Sequence, residues 1–356
     1  MKVLFVFYVP SGGVETLNRQ RAAALKKKNI QCDFLYFENK RDTINHHDGN
    51  VFIAKKDDEI QKILLAGNYQ AVIVISDFYS LSKYRAWGYK GALVLEIQGL
   101  GSKEGARDFF VMASHSIQKY ADGLLTPCTP HIDCLIEEFF PNKKKFSFNN
   151  CFDSEKFSYR QIKKAKGPII GWVGRLEGNK NWTEFIEIGN KLVKANKDLL
   201  LFMFEDPSLS TPQERVRFQQ KVIDYRLSDQ LVTLQNIPNH QMADYYSIIG
   251  DSGGFLCSTS KVEGAPYSIL EAMSCRCPIL TTDSDGVRSS VIHNYTGKYY
   301  AIGNIEDAIK EGTELMNNLP LREQIRENGV KHLKENFSLE KYAENFEKML
   351  KDLGVG

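Results

Sequence analysis

Two doubly wound α/β domains are predicted for this chain of 356 residues. Short continuous apolar runs alternate with longer amphipathic stretches, the pattern of parallel strands buried on both faces with helices as crossovers. The pattern starts twice: an apolar run leads into a glycine-containing loop and then a helix after Val3, and again after Pro168. The length also passes the ~250–300 residues at which a single core stops growing.

The elements follow in order. Residues 3–8 form an apolar run typical of a buried strand, broken by Pro10, Ser11, Gly12 and Gly13. A helix is expected over 14–28, with Leu17, Ala22 and Leu25 near one face, and Asn29 ends it before a strand at 32–36. Strands are expected at 71–75, 92–97, 123–126 and 145–149, with a helix over 109–120. Residues 154–166 are polar, rich in Lys, Arg, Gln and Ser, and read as a linker. The second half opens with a strand at 168–173, a loop at 174–178 and a helix over 182–195. Further strands are expected at 199–204, 231–234, 254–257 and 279–281, and helices over 304–319, 321–335 and 339–353. Sheets of this kind bind ligands at the carboxyl ends of their strands, and two facing domains make a cleft.

Several classes drop out. The 46 Lys and Arg against 44 Asp and Glu leave a net charge of +2, without the basic excess of a nucleic-acid binder. No apolar run approaches the ~18–20 residues of a membrane span, and the N-terminus lacks the layout of a signal peptide. A cytoplasmic protein is expected. Its seven scattered cysteines fit reduced thiols. Cys128 and Cys134 lack the partner pair that zinc needs and are expected to be buried. The lysine runs 26–28 and 143–145 offer peripheral contact with the inner face of a membrane, although such runs are commonly a solvated helix end or loop.

The chemistry concentrates in residues 260–273. This stretch follows a strand, crosses a small-residue loop and enters a helix, with Pro266 placed at the first helical position. The backbone N–H groups of Tyr267 and Ser268 would then point out of the helix start, a phosphate site reinforced by the helix dipole. Glu263 precedes the site and Glu271 lies about one turn inside the helix, so a bound phosphate would have a carboxylate on each side. That suits a ligand with hydroxyls on both sides, such as a nucleotide sugar; a capping carboxylate and a surface helix Glu explain the spacing equally well. Arg175 and Lys180 follow the strand at 168–173 and could neutralise a diphosphate. Gly12 and Gly13 would let the backbone approach a ligand, but no Gly-x-Gly-x-x-Gly dinucleotide pattern is present.

Together these pieces resemble the retaining glycosyltransferases of family 4, which have the GT-B fold: two Rossmann-like domains facing an interdomain cleft. The resemblance runs through Gly12, Gly13, Val14 and Glu15, the stretch 149–157, Gly174, Arg175, Lys180 and Asn181, the Glu263 to Glu271 motif, residues 278–283, and Phe337 to Glu340 at the end. It implies an N-terminal acceptor-binding domain of residues 1–153 plus 336–356, a linker at 154–167, and a nucleotide-sugar-binding domain at 168–335. It also implies roles. Glu263 would hold donor-sugar hydroxyls, and Gly264, Ala265 and Pro266 would line the sugar pocket. Tyr267, Ser268, Arg175 and Lys180 would meet the diphosphate. Glu271 would accept from the ribose, and the backbone at Asn236 and Ile237 would meet the base. Gly12 and Gly13 would close over the donor from the first domain. The implied reaction is sugar transfer from a nucleotide-sugar co-substrate, a UDP-sugar first, to a glycan or lipid-linked acceptor in cell-surface polysaccharide or glycoconjugate synthesis. No metal and no other cofactor is expected.

The match departs from the family at named positions. Gln98 stands where members often have His, and it keeps hydrogen-bonding capacity without proton transfer. Arg276 stands where Gly is usual, Ser289 where Glu is frequent, and Phe204, Glu205 and Asp206 replace a glycine-containing turn. Two alternatives stay open: a nucleotide-sugar epimerase on the same fold, and a catalytically silent nucleotide-sugar-binding subunit. Acceptor choice is expected to lie in loops at 76–84 and 99–107.

Overall fold

The apolar runs become two parallel sheets. The computed structural model describes residues 1–10, 12–39, 47–162 and 165–356, so Ser11 and part of the 154–167 stretch lie outside the described residues. The chain divides into two compact units, Met1–Asp153 with Asn336–Gly356 and Ser154–Glu335.

The first unit runs β1 (Lys2–Phe7), α1 (Gly12–Lys26), β2 (Gln31–Tyr36), β3 (Val51–Ile53), α2 (Asp57–Gly67), β4 (Ala71–Ile75), α3 (Leu81–Ala86), β5 (Ala92–Glu96), α4 (Lys103–Tyr120), β6 (Gly123–Thr126), α5 (Pro130–Phe139) and β7 (Lys144–Ser147). Its seven strands are parallel, in the order β3-β2-β1-β4-β5-β6-β7. Every residue of β4, Ala-Val-Ile-Val-Ile, is buried, which is why that strand reads as an unbroken apolar run. The order reverses between β1 and β4, so the chain winds away from this point in both directions.

The second unit runs β8 (Ile169–Val173), α6 (Trp182–Ala195), β9 (Leu200–Glu205), α7 (Pro212–Asp224), β10 (Leu231–Gln235), α8 (Asn239–Asp251), β11 (Phe255–Ser258), α9 (Tyr267–Ser274), β12 (Ile279–Thr282), β13 (Lys298–Tyr300), α10 (Ile305–Asn317) and α11 (Leu319–Asn336). Its six strands are also parallel, in the order β10-β9-β8-β11-β12-β13. Trp172, Trp182 and Phe185 anchor its core. The last helix, α12 (Leu339–Asp352), belongs to the first unit. There Phe346 packs on Phe5 with ring centroids 5.8 Å apart, and the Phe152 amide donates to the Phe337 carbonyl at 2.7 Å.

Some boundaries differ from expectation, each for a local reason. α4 starts at Lys103 and not at 109, because the Ser102 hydroxyl caps it by accepting from the Gly105 amide at 3.0 Å. The 99–107 and 76–84 stretches are therefore helical in part. α1 opens at Gly12, with φ of 78°, so the two glycines start the helix instead of forming a loop ahead of it. Pro266 is the residue before α9, extended at φ −76° and ψ 109°, and Tyr267 takes the first helical position. The thiols at 128 and 134 are not buried as expected: Cys134 is exposed and Cys128 half-buried.

Candidate functional site

Three loops meet at the carboxyl edge of the second sheet. The first follows β8 and leads to α6, the second follows β11 and leads to α9, and the third follows β12. Backbone and short polar side chains stitch them together. Asn179 on the first loop accepts the Lys261 amide at its carbonyl (2.9 Å) and the Val262 amide at Oδ1 (3.2 Å), and its Nδ2 donates to the Val262 carbonyl (3.1 Å). The buried Thr259 hydroxyl lies 2.8 Å from the Lys180 carbonyl and 3.0 Å from that of Asn181, and it accepts from Trp172 Nε1 at 3.1 Å. On the other side, the Glu263 amide donates to the Ser284 carbonyl and the Gly286 amide donates to the Glu263 carbonyl, both at 3.0 Å. A Cβ at Gly286 would sit 1.8 Å from the Gly264 carbonyl oxygen, so only glycine permits this approach.

That stitching brings Lys180 and Glu263 face to face. Lys180 Nζ lies 2.5 Å from Glu263 Oε1, with the two side chains 24% and 12% exposed. Glu263 stands in the loop leading to α9, whose first turn carries Tyr267 and Ser268, and Lys180 reaches it from the loop leading to α6. Amides of a first helical turn have no acceptor one turn earlier in the helix, which gives the helix start its affinity for anions. Gly264, Ala265 and Pro266 span the gap between Glu263 and α9 and are half-buried.

Glu271 lies a further turn along α9. It is buried, not a surface helix residue. Asn239 Nδ2 donates to it at 2.8 Å and the Tyr246 hydroxyl at 3.3 Å. Burial, with the Glu271 carboxylate adding to it, pushes the Tyr246 phenol well above its ordinary range, so it stays a donor. Asn239 opens α8 directly after the turn that holds Asn236 and Ile237. Asn236 is left-handed at φ 53°, and its amide donates to the Glu205 carbonyl at 3.0 Å. Glu271 is thus tied to the segment that follows the 236–237 turn.

The other expected residues stand differently. Arg175 is half-exposed and pairs with Glu177 of its own loop at 2.9 Å. Gly12 and Gly13 belong to the first unit; a Cβ at either would meet nothing within 4 Å, so the left-handed φ alone favours glycine at position 12. Gln98, also in the first unit, spends its amide on neighbours. Nε2 donates to Glu96 (2.6 Å) and to Asn150 Oδ1 (3.1 Å), and Oε1 accepts from Asn150 Nδ2 (2.7 Å). Glu96 in turn receives both guanidinium branches of the wholly buried Arg21, at 2.7 and 2.9 Å. The lysine runs are engaged as well. Lys26, Lys27 and Lys28 pair with Asp48, Glu340 and Glu347, while Lys143, Lys144 and Lys145 reach Ala121, Asp352 and Glu137. Among the described residues no helix is long and apolar enough to cross a membrane, and no three His, Cys, Asp or Glu gather as a metal site.

Sequence reasoning missed Asn179 and Thr259, whose partners lie some eighty positions away, and it missed the support under the 236–237 turn. There Arg215 clasps the buried Glu205 at 3.1 and 2.5 Å, and Gln235 Nε2 reaches the same carboxylate at 3.3 Å. The signal for that pair was the Glu205 substitution itself. Arg276 has φ of 57°, the left-handed backbone that explains why glycine is usual at its position.

The sequence model of a family described as glycosyl transferases group 1 matches residues 153–332. The capsular polysaccharide biosynthesis glycosyltransferase CapM of Staphylococcus aureus is 28% identical over 185 residues, covering 51% of this chain and 45% of that protein. The chain spans about half the length of the curated relatives it matches. Among solved structures, sucrose-phosphate synthase from Thermosynechococcus elongatus superposes with a TM-score of 0.84 at 15% identity, covering 99% of both chains. Anabaena Alr3699/HepE, solved with UDP and glucose, gives 0.82 at 14% identity, covering 99% of this chain and 100% of that one. These likenesses are of fold, and with the two parallel sheets they assign the GT-B fold.

Proposed function

The chain belongs to the glycosyl transferases group 1 family, and we propose that it is a retaining transferase of nucleotide sugars. It moves a hexose-type sugar, from a UDP-sugar first, to a hydroxyl of a glycan or lipid-linked acceptor in cell-surface polysaccharide or glycoconjugate assembly. The observation that carries this is the Lys180–Glu263 pair beside the start of α9, with the buried Glu271 one turn further on.

The residues divide the donor between them. The first-turn amides of α9, at Tyr267 and Ser268, take the diphosphate, and Lys180 turns from Glu263 toward it. Arg175, half-exposed and tied only to its own loop, can join. Glu263 is then free to accept from sugar hydroxyls beside Gly264, Ala265 and Pro266. Glu271 accepts from the ribose, and the backbone of Asn236 and Ile237 meets the base. A UDP-sugar donor is supported by the likeness of fold to a protein solved with UDP and glucose, and by the similarity to a capsular polysaccharide biosynthesis glycosyltransferase.

Breaking the bond between sugar and phosphate builds negative charge on the diphosphate. Fixed amides and a lysine stabilise that charge more as it grows, so they favour the transition state over the ground state. The acceptor hydroxyl attacks from the face the diphosphate leaves, and its proton passes to a leaving phosphate oxygen, which keeps the anomeric configuration. The cationic duty falls to protein groups, so turnover is expected to survive chelation of divalent metals. The acceptor side is assigned to the first unit, and the enzyme to the cytoplasm.

A thermal-shift screen of the full chain against UDP, GDP and their sugars tests this. Binding to the folded state alone raises stability by about 2.7 kcal/mol at a hundredfold excess over Kd. One base should stand out. If no nucleotide or nucleotide sugar moves the melting temperature, the proposal fails.

A further inference from the structure

The first unit carries a cavity that the donor site does not use. It encloses about 350 Å³ beyond the carboxyl ends of β1 to β4. Small-molecule sites usually span about 300–1,000 Å³ and collect at this edge of a parallel sheet, where strand order reverses. Here the reversal falls between β1 and β4, and Tyr8 and Asp77 follow those two strands.

The walls are aromatic. Tyr79 is 65% exposed, its ring 4.0 Å from that of Phe78, and Trp87 is half-buried against Tyr84. The polar groups favour hydroxyl donors. Asp77 is buried; one oxygen accepts the Tyr79 amide at 3.2 Å, which leaves acceptor capacity on a group with about four lone-pair sites. Burial first, then Asp77 and Tyr79, push the Tyr8 phenol up to about 12, so it stays protonated; its O–H donates to the Ser76 carbonyl at 3.4 Å, and its oxygen keeps acceptor capacity for a ligand hydroxyl. The charges argue against an anion. Glu38, Asp57 and Asp77 face Lys55 and Lys83, and Lys83 is already held by Asp57 at 2.8 Å. Behind this wall the wholly buried Tyr84 hydroxyl lies beside the Ser80 hydroxyl, which donates to the Asp77 carbonyl at 3.3 Å.

We propose that this cavity binds one uncharged pyranose ring of the acceptor, its carbon face against Tyr79 and Trp87 and its hydroxyls donating to Asp77. The assignment rests on the transferase reading and deepens it: the acceptor is recognised through a neutral sugar, not through a phosphate headgroup.

Saturation-transfer NMR on the full chain tests this, with methyl glucoside, methyl galactoside and methyl N-acetylglucosaminide as probes and inorganic pyrophosphate as the anionic competitor. At least one glycoside should show transfer to its ring protons, and pyrophosphate should not displace it. Tyr79→Ala and Asp77→Asn should weaken binding about tenfold, the scale of one aromatic contact or hydrogen bond. Tyr79 is exposed, so its loss leaves folding intact, and the melting-temperature rise with UDP should stay at the wild-type value in that variant. No transfer from any glycoside, transfer undiminished in both variants, or displacement by pyrophosphate would each overturn the proposal. The two claims fail separately: a UDP shift without glycoside binding sinks only the cavity, and glycoside binding without any nucleotide shift sinks only the donor site.

Discussion

The loops around Glu263 are held from both sides by backbone hydrogen bonds, whereas the cavity beyond β1 to β4 is walled by long side chains, several of them exposed. A ligand part shared by every donor, a diphosphate and a ribose, suits the first kind of wall. Amides and a glycine forced by a close approach are costly to change, because each substitution disturbs two loops at once. A ligand part that varies between pathways suits the second kind, where one aromatic can be exchanged without moving the backbone. We assign function to loops in both units; in the first, the Phe37 and Glu38 amides donate to the Tyr8 carbonyl at 3.1 Å, so the backbone behind the cavity is tied as well and the contrast lies in the side chains that face the ligand.

Substitutions can break or sharpen that contrast. The largest effect is expected at Lys180→Ala. Loss of one charge-stabilising donor typically costs about 10²–10³ in kcat, and Lys180 is partly exposed, so the melting temperature should hardly move. Comparable damage to UDP-sugar hydrolysis from Tyr79→Ala would erase the distinction between the two walls. Next comes Glu271→Gln. A hydrogen bond to a charged group contributes about 1.5–3 kcal/mol, so KM for the donor should rise by about 10–100-fold while kcat changes less. Asn179→Ala should act on stability as well as on rate. It strips the side-chain bonds to Val262, and a urea titration should show a loss of about 1–3 kcal/mol. The smallest effect is expected at Arg276→Gly. It relieves a left-handed backbone but gives up the Glu323 contact, so scanning calorimetry should find a net change under about 1 kcal/mol.

How much of this was legible in the sequence follows from how local each feature is. The strands 71–75 and 123–126 were readable to the residue because every position in them is buried and all but Gly123 and Thr126 carry apolar side chains. β3 (Val-Phe-Ile) and β13 (Lys-Tyr-Tyr) are three residues long, too short for a periodic or continuous apolar pattern to mark a strand. The start of α4 was missed because a single capping hydroxyl sets it. Within the site, Glu263, Glu271 and the amides between them lie on one short stretch, and their spacing could be read directly. Lys180 was placed correctly after its strand, yet its contact with Glu263 needs two loops eighty-three positions apart. Asn179, Thr259 and the Arg215–Glu205 clasp exist only once the chain has folded. The same holds for the aromatic cavity, whose walls come from four strand ends.

Isothermal titration of UDP into the full chain and into its Lys180→Ala and Glu271→Ala variants tests the central claim most directly. The predicted result is measurable UDP binding to the native chain that weakens by about tenfold or more in each variant, with folding intact by circular dichroism. UDP binding that is absent from the native chain, or undiminished in both variants, would contradict the assignment of the nucleotide-sugar site to the start of α9.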